Sequence, residues 1–222
     1  MPAATSNACR DPKVPLAPTV LACLLVVIAA GIALWWLTLS FEAWTFEERR
    51  HGLVSRGALS APPIQAIDQT GEVWTAPWSI KGAPTRVVVL DFVYTRCETV
   101  CTALGGTYAQ MQAALEQSPA GAAIQLISLS FDARDDLRAL QRYADRYRAR
   151  APTWRVLHMT DPFARQNVLR TLGVVAIPDG LGGFVHNGAL HVIDASGQVR
   201  GLFDYADWPQ ALALARKLSR RP

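Results

Sequence analysis

Cysteine and histidine are scarce in this chain, at four of each among 222 residues. That shortage excludes a small domain stapled by many disulfides and a multi-histidine metal cage. Beyond Phe41 only Cys97 and Cys101 remain, so no leftover thiol is there to mispair in an oxidising compartment. Charge imbalance is also missing. The formal net charge is +4, and the arginines of 134–150 are interleaved with Asp135, Asp136 and Asp145. Such mixing describes a solvated helix face and excludes a nucleic-acid surface. No internal repeat and no low-complexity tract is present, which removes solenoids and disordered arrays.

Charge itself is absent from Val14 to Phe41. About 20 apolar residues span a bilayer, and Thr19 to Leu39 is almost wholly aliphatic, with Trp35, Trp36, Phe41 and Trp44 at its end, where rings favour the headgroup layer. A cleaved signal peptide would end on small residues. Gly31-Ile32-Ala33 runs straight into Leu34-Trp35-Trp36-Leu37 instead, which favours an uncleaved anchor. Arg10 and Lys13 lie nearest the span on its N-terminal side, and Glu42, Glu47 and Glu48 come first on the other, although Arg49, Arg50 and Arg56 follow. This reads as a cytoplasmic tail (1–18), a transmembrane anchor (19–39), a polar stalk (40–62) and a folded domain (63–222) facing the periplasm or an equivalent external compartment.

Within that domain the periodicity alternates. Ile64–Ile67 and Glu72–Trp74 flank Asp68-Gln-Thr-Gly71 as a hairpin. Arg86–Tyr94 is a near-continuous apolar run, as in a strand buried on both faces. Leu104, Tyr108, Met111 and Leu115 mark one helix face, and Leu137, Leu140, Ala144 and Tyr147 another. Strands are expected at Ala123–Phe131 and Trp154–Met159, and a helix after Asp161-Pro162. A glycine-rich loop over Gly173–Phe184 precedes a hairpin of Val185–Ile193 with Gln198–Phe203, and Asp207 opens the last helix. The order predicts an α/β fold: a thioredoxin-like domain with an extra N-terminal hairpin, preceded by a single transmembrane helix.

Cys97 and Cys101 fall at a strand-to-helix turn, three residues apart. Thr95 and Glu98 have the spacing of a capping box, which would put Cys97 in the first helical turn and Cys101 one turn on. A helix N-terminus favours thiolate, while Glu98 opposes it. Such a pair can form a disulfide, exchange one, or hold a soft metal ion. A redox pair more often has two intervening residues, and a structural bridge across so small a loop gains little.

Any third ligand has to come from the histidines. His51 lies in the stalk, and His158 reads as a satisfied core or edge histidine. His186 and His191, five apart on one expected strand, face opposite ways. His186, after Gly180-Leu-Gly-Gly183, is the better candidate.

The segment Asp91-Phe-Val-Tyr-Thr-Arg-Cys-Glu-Thr-Val-Cys101 resembles the Cys-x-x-x-Cys signature of the Sco/SenC family. Ile127-Ser-Leu-Ser-Phe-Asp132-Ala-Arg-Asp135 is similar to that family's following strand and Asp-x-x-Asp turn, and Val185-His186 with Ala189–Gly197 is similar to its late histidine and strand. The resemblance implies a membrane-tethered, thioredoxin-like protein that binds copper, Cu(I) or Cu(II), through Cys97, Cys101 and His186. It implies a partner in a cytochrome oxidase subunit carrying a copper centre, typically CuA, with other copper chaperones or thiol reductants as further partners. Asp132 and Asp135 are candidates to tune the site from outside its ligand shell, although Asp135 also suits a helix cap. Glu98 and Thr102 stand where many members have proline. The domain lacks the proline that immediately precedes the corresponding strand in a true thioredoxin, which argues against a general disulfide enzyme. A thiol–disulfide reductase that keeps a partner's cysteines reduced is the main alternative. A peroxidase is a weaker one, since Thr95 and Arg96 supply its activating groups only loosely.

Overall fold

The computed structural model describes residues 16–38, 45–83, 85–97 and 100–220. It divides into two units, Met1–Arg49 and Arg50–Pro222. In the first, α1 (Leu16–Leu37) is long and apolar enough to cross a membrane. Glu42 and Trp44 of the expected flank lie outside the described residues. Helix α2 (Phe46–Ser55) begins in this unit on a capping box: the Glu48 N–H donates to the Thr45 hydroxyl (3.1 Å), and the Thr45 N–H donates to the Glu48 carboxylate (3.0 Å). The polar stretch read as a stalk therefore contains a helix, and its second half belongs to the folded domain. Arg50 is 3% exposed, and Leu53 and Val54 pack on the core.

The domain is built on a seven-stranded sheet in the order β2-β1-β5-β4-β3-β8-β9. Its centre is β3 (Val87–Val93) and β4 (Ile124–Ser130), every residue of which is buried, paired in parallel from Val87–Ile124 to Val93–Ser130. Strand β5 (Trp154–His158) continues the parallel run. The hairpin β1 (Gln65–Asp68) and β2 (Val73–Thr75) adds antiparallel to β5, and β8 (Leu190–Ile193) with β9 (Val199–Phe203) adds antiparallel to β3. Gly71 and Gly197, at the two hairpin turns, have φ of +87° and +85°, where a side chain would be strained.

Helix α3 (Val100–Glu116) buries Leu104, Tyr108, Met111 and Leu115, the stripe its spacing predicts. Helix α4 (Leu137–Tyr147) is capped by Asp136, whose carboxylate accepts the Ala139 N–H at 2.8 Å, so Asp135 is not the cap. Asp161 and Pro162 start α5 (Pro162–Thr171) as expected, and α6 (Trp208–Ser219) closes the chain against α3, β3 and β8.

Two expectations fail in the late segment. The glycine-rich stretch is not all loop: β6 (Ala176–Pro178) pairs with β7 (Phe184–His186) as a separate two-stranded ribbon. The expected strand Val185–Ile193 is broken, because Asn187 turns the chain. Its side chain accepts the Val175 N–H (2.6 Å) and donates to the Gly173 carbonyl (3.0 Å). His186 and His191 therefore sit on different strands.

Beneath α3 the core holds an acid. Asp91, at the centre of β3, is 1% exposed, and neither carboxyl oxygen makes a hydrogen bond. Two hydroxyls lie nearby, outside hydrogen-bonding geometry to the carboxyl. Tyr108 donates to the Val89 carbonyl (3.2 Å), and Ser128 accepts the Trp154 indole N–H (3.1 Å). Burial pushes the Asp91 carboxyl up to about 7, with Ser128 and Tyr108 easing the cost without cancelling it. The phenol of Tyr108 is in turn held well above its ordinary value by its own burial and by Asp91.

Candidate metal and thiol site

The parallel strands β3, β4 and β5 end on one edge of the sheet, and the chain leaves them through Tyr94, Phe131 and Met159. Ligands of open α/β sheets gather at such an edge. Cys97 lies here, in the turn after β3. It is 5% exposed, and its N–H donates to the Tyr94 carbonyl at 3.2 Å. Cys97 is itself non-helical, so it does not occupy the first turn of α3, described from Val100. Cys101 is in that first turn, but its side chain and all of Glu98 lie outside the described residues.

The Glu98 half of the expected capping box lies outside the described residues, and Thr95 bonds a distant carboxylate. The Thr95 hydroxyl donates to Asp135 Oδ1 at 2.7 Å, and the Thr95 N–H donates to Asp135 Oδ2 at 2.9 Å. The Ser130 hydroxyl also donates to Asp135 Oδ2, at 2.5 Å. Asp135 is 2% exposed and ties the cysteine turn to the end of β4. Asp132 is equally buried but faces Arg134, which grips its carboxylate at 2.8–3.0 Å. Burial raises the Asp132 carboxyl, and the Arg134 hydrogen bonds outweigh it, so the group is held below the usual carboxylate range.

His186 ends β7 with its ring against two aromatic rings, Phe131 at 5.0 Å and Tyr94 at 6.2 Å between centroids. Both its ring nitrogens are buried without a hydrogen-bond partner. A buried imidazole with two orphaned nitrogens is uncommon, because a neutral ring normally satisfies one donor and one acceptor. Burial pulls its pKa below the ordinary histidine value, an effect the Asn187 backbone only partly offsets, which favours the neutral ring and its lone pair. Tyr94 joins the parts: its carbonyl accepts from Cys97, its ring meets His186, and its hydroxyl accepts the Phe184 N–H at 3.4 Å.

His186 and the cysteine turn thus share one aromatic support. Among the described residues no three His, Cys, Asp or Glu side chains form a cluster able to hold a metal ion. His191 is elsewhere, fully buried at a Phe92 ring edge. Its Nε2 lies 3.0 Å from the Arg50 guanidinium, and burial and Arg50 pull its pKa down to about 4. His158 is buried with its Nδ1 unpartnered, so it is not the satisfied core histidine expected. The donor set still suits a soft ion: thiol and neutral imidazole favour Cu(I) over hard cations.

Tyr94, Phe131 and Phe184 were not legible in the sequence as members of the site, since the first two end apolar runs typical of core and Phe184 falls in a glycine-rich stretch. Nor was Arg134. Aromatics at the ends of successive strands were the available signal.

The SCO1/SenC family model matches residues 56–220. No curated protein matches the chain in sequence. Among solved structures, an SCO1/SenC family lipoprotein from Bacillus anthracis is 19% identical and superposes with a TM-score of 0.61, covering 73% of this chain and 96% of that one. ScoI of Bradyrhizobium japonicum with copper bound is 22% identical at TM-score 0.57, covering 72% and 99%. BsSco, described as a Sco-family cytochrome c oxidase assembly protein with a disulfide switch, is 22% identical at TM-score 0.56, covering 72% and 95%.

Proposed function

We propose a copper-handling role in cytochrome oxidase assembly for this chain, which belongs to the SCO1/SenC family. The observation that carries the reading is the half-buried His186 imidazole, whose two ring nitrogens are buried with no hydrogen-bond partner among the described residues, packed on Tyr94, three residues before Cys97. Cys97 and Cys101 would supply two soft thiolates, and His186 the neutral nitrogen that completes a three-donor set. Such a set binds Cu(I) well and leaves coordination open, so the ion can pass to a partner's ligands. Copper is cargo in this scheme. The recipient is an oxidase subunit with a copper centre of the CuA type, reached from the membrane by the α1 anchor with the domain on the periplasmic or equivalent side.

The residues of the chain have separable tasks. Asp135 fixes the entry to the cysteine turn by holding Thr95, and Tyr94 and Phe131 exclude water from the imidazole and orient it. The test is Cu(I) affinity of the reduced, full-length protein in detergent against a competing chelator. His186→Ala is expected to lower it at least tenfold, the loss typical when a metal site is impaired. An unchanged affinity rejects the ligand assignment.

A second reading uses the same cysteines for thiol–disulfide exchange, keeping a partner's ligands reduced. It is favoured by the BsSco disulfide switch on the same fold. It needs Cys97 and Cys101 but not His186, so equal rates of reducing an oxidised partner peptide in wild type and His186→Ala support it.

A further inference from the structure

The β6–β7 ribbon that delivers His186 has little to lean on. Ile177, Leu181 and Val185 are 58%, 93% and 68% exposed, so one side of the ribbon packs on nothing. Its turn is shaped from within. The Asp179 carboxylate accepts the Leu181 N–H (2.8 Å) and the Gly183 N–H (2.9 Å), and Gly180 and Gly182 have φ of +77° and +93°. These bonds shape the turn without fixing where it sits. Its base is held by Asn187, and its middle rests on Tyr94 and Phe131.

The tip is held by Arg134. This side chain forks onto Asp132, with Nε at 2.9 and 3.0 Å from the two carboxylate oxygens and Nη2 at 2.8 Å from Oδ2. The same Nη2 donates to the Gly182 carbonyl at 2.9 Å, and the guanidinium carbon lies 5.5 Å from the Phe184 ring centroid. Asp132, two residues beyond β4, is 2% exposed, so the guanidinium is anchored on a buried carboxylate on one side and holds the ribbon with the other. Lysine cannot reproduce this, since one ammonium has no planar fork to serve a carboxylate, a carbonyl and a ring face together.

We propose that Arg134 is a positioning residue for His186: anchored on Asp132, it clamps the β6–β7 turn through Gly182 and Phe184 and so sets the imidazole on the cysteine side of the sheet edge. The proposal rests on the reading of His186 as a copper ligand. Arg134 itself touches no metal.

The experiment uses the full chain in detergent, as wild type, Arg134→Ala, Arg134→Lys and His186→Ala. In metal-free protein, amide hydrogen exchange over 181–186 is expected to speed up in both Arg134 variants, while β3 and β4 keep wild-type protection. Loading with Cu(II) then reads the imidazole directly, through the nitrogen hyperfine pattern in electron paramagnetic resonance. Both Arg134 variants should show a weakened or heterogeneous nitrogen pattern and about tenfold lower affinity, the scale set by outer-shell partners of metal ligands. Unchanged exchange in the ribbon overturns the clamp. Faster exchange with wild-type spectrum and affinity overturns its link to the ligand. Full recovery by Arg134→Lys overturns the forked geometry as the cause. If His186→Ala itself leaves spectrum and affinity at wild-type values, the ligand reading fails, and the proposal with it. Altered His186→Ala beside wild-type Arg134 variants removes the clamp alone.

Discussion

Replacing Asp91 by Asn should stabilise the domain at neutral pH and reshape its pH dependence. The carboxyl is raised from an ordinary 3.8 to about 7. Between those values the unfolded chain has lost the proton and the folded one has kept it, so stability falls as pH rises, by about 1.4 kcal/mol per unit. The full penalty, reached above pH 7, is on the order of 4 kcal/mol, and relaxation around the charge would reduce it. His191 works the other way. Its folded pKa is lowered from 6.5 to about 4, so the unfolded chain binds the extra proton in that window and stability falls as pH drops through it. From pH 4 to 6.5 the two slopes oppose, so in the wild-type domain the His191 slope offsets that of Asp91. Asp91→Asn removes one slope and exposes the other. Urea unfolding of the Arg50–Pro222 unit under reducing conditions, at pH 4.5, 6 and 8, reads this directly. The variant should exceed wild type by about 1 kcal/mol at pH 4.5, gain with each step and reach a few kcal/mol at pH 8. A constant difference across the three pH values would refute the argument, because it would mean that Asp91 has the same pKa folded and unfolded.

Most of the fold was legible in the sequence because burial leaves a period. The runs Val87–Val93 and Ile124–Ser130 are buried on both faces and read as central strands, and the Leu104–Leu115 stripe read as one helix face. What could not be read was set by contacts distant in sequence. Thr95 has the spacing of a cap, but its hydroxyl bonds Asp135, forty residues away. Asn187 breaks a run that alternates well enough for one strand, because its side chain bonds the backbone of Gly173 and Val175. Arg50 looked like one more charge in a polar stretch, yet it is buried beside His191. The same limit applies at the site. His186 was visible as a loop-edge histidine, whereas its aromatic support was not: Tyr94 and Phe131 look like core residues, and Phe184 like part of a glycine-rich loop, until three separate segments bring them together.

Three further substitutions probe these contacts. Thr95→Val removes the hydroxyl donated to Asp135 and should cost about 1–3 kcal/mol in urea unfolding, since a buried carboxylate loses a hydrogen bond; a cost below 0.5 kcal/mol would deny the brace. Gly121→Ala should destabilise by about 1–3 kcal/mol through overpacking, because its added Cβ would lie 2.2 Å from the Leu115 carbonyl oxygen, a backbone atom with no rotamer to yield; an unchanged melting temperature would mean the α3 terminus shifts freely. Arg50→Met tests whether the second half of α2 is part of the domain. The arginine is buried with its guanidinium on His191, and Gly173 passes so close that an added Cβ would meet Arg50 Cδ at 2.9 Å. Methionine keeps much of the packed stem and removes the charge, and burial alone then holds the His191 pKa down. The His191 pKa followed by NMR should therefore rise above about 4, and the acid side of the stability profile should flatten by the same amount. A His191 pKa unchanged by the substitution would place the guanidinium too far away to act, and the helix would then be anchored by Leu53 and Val54 alone.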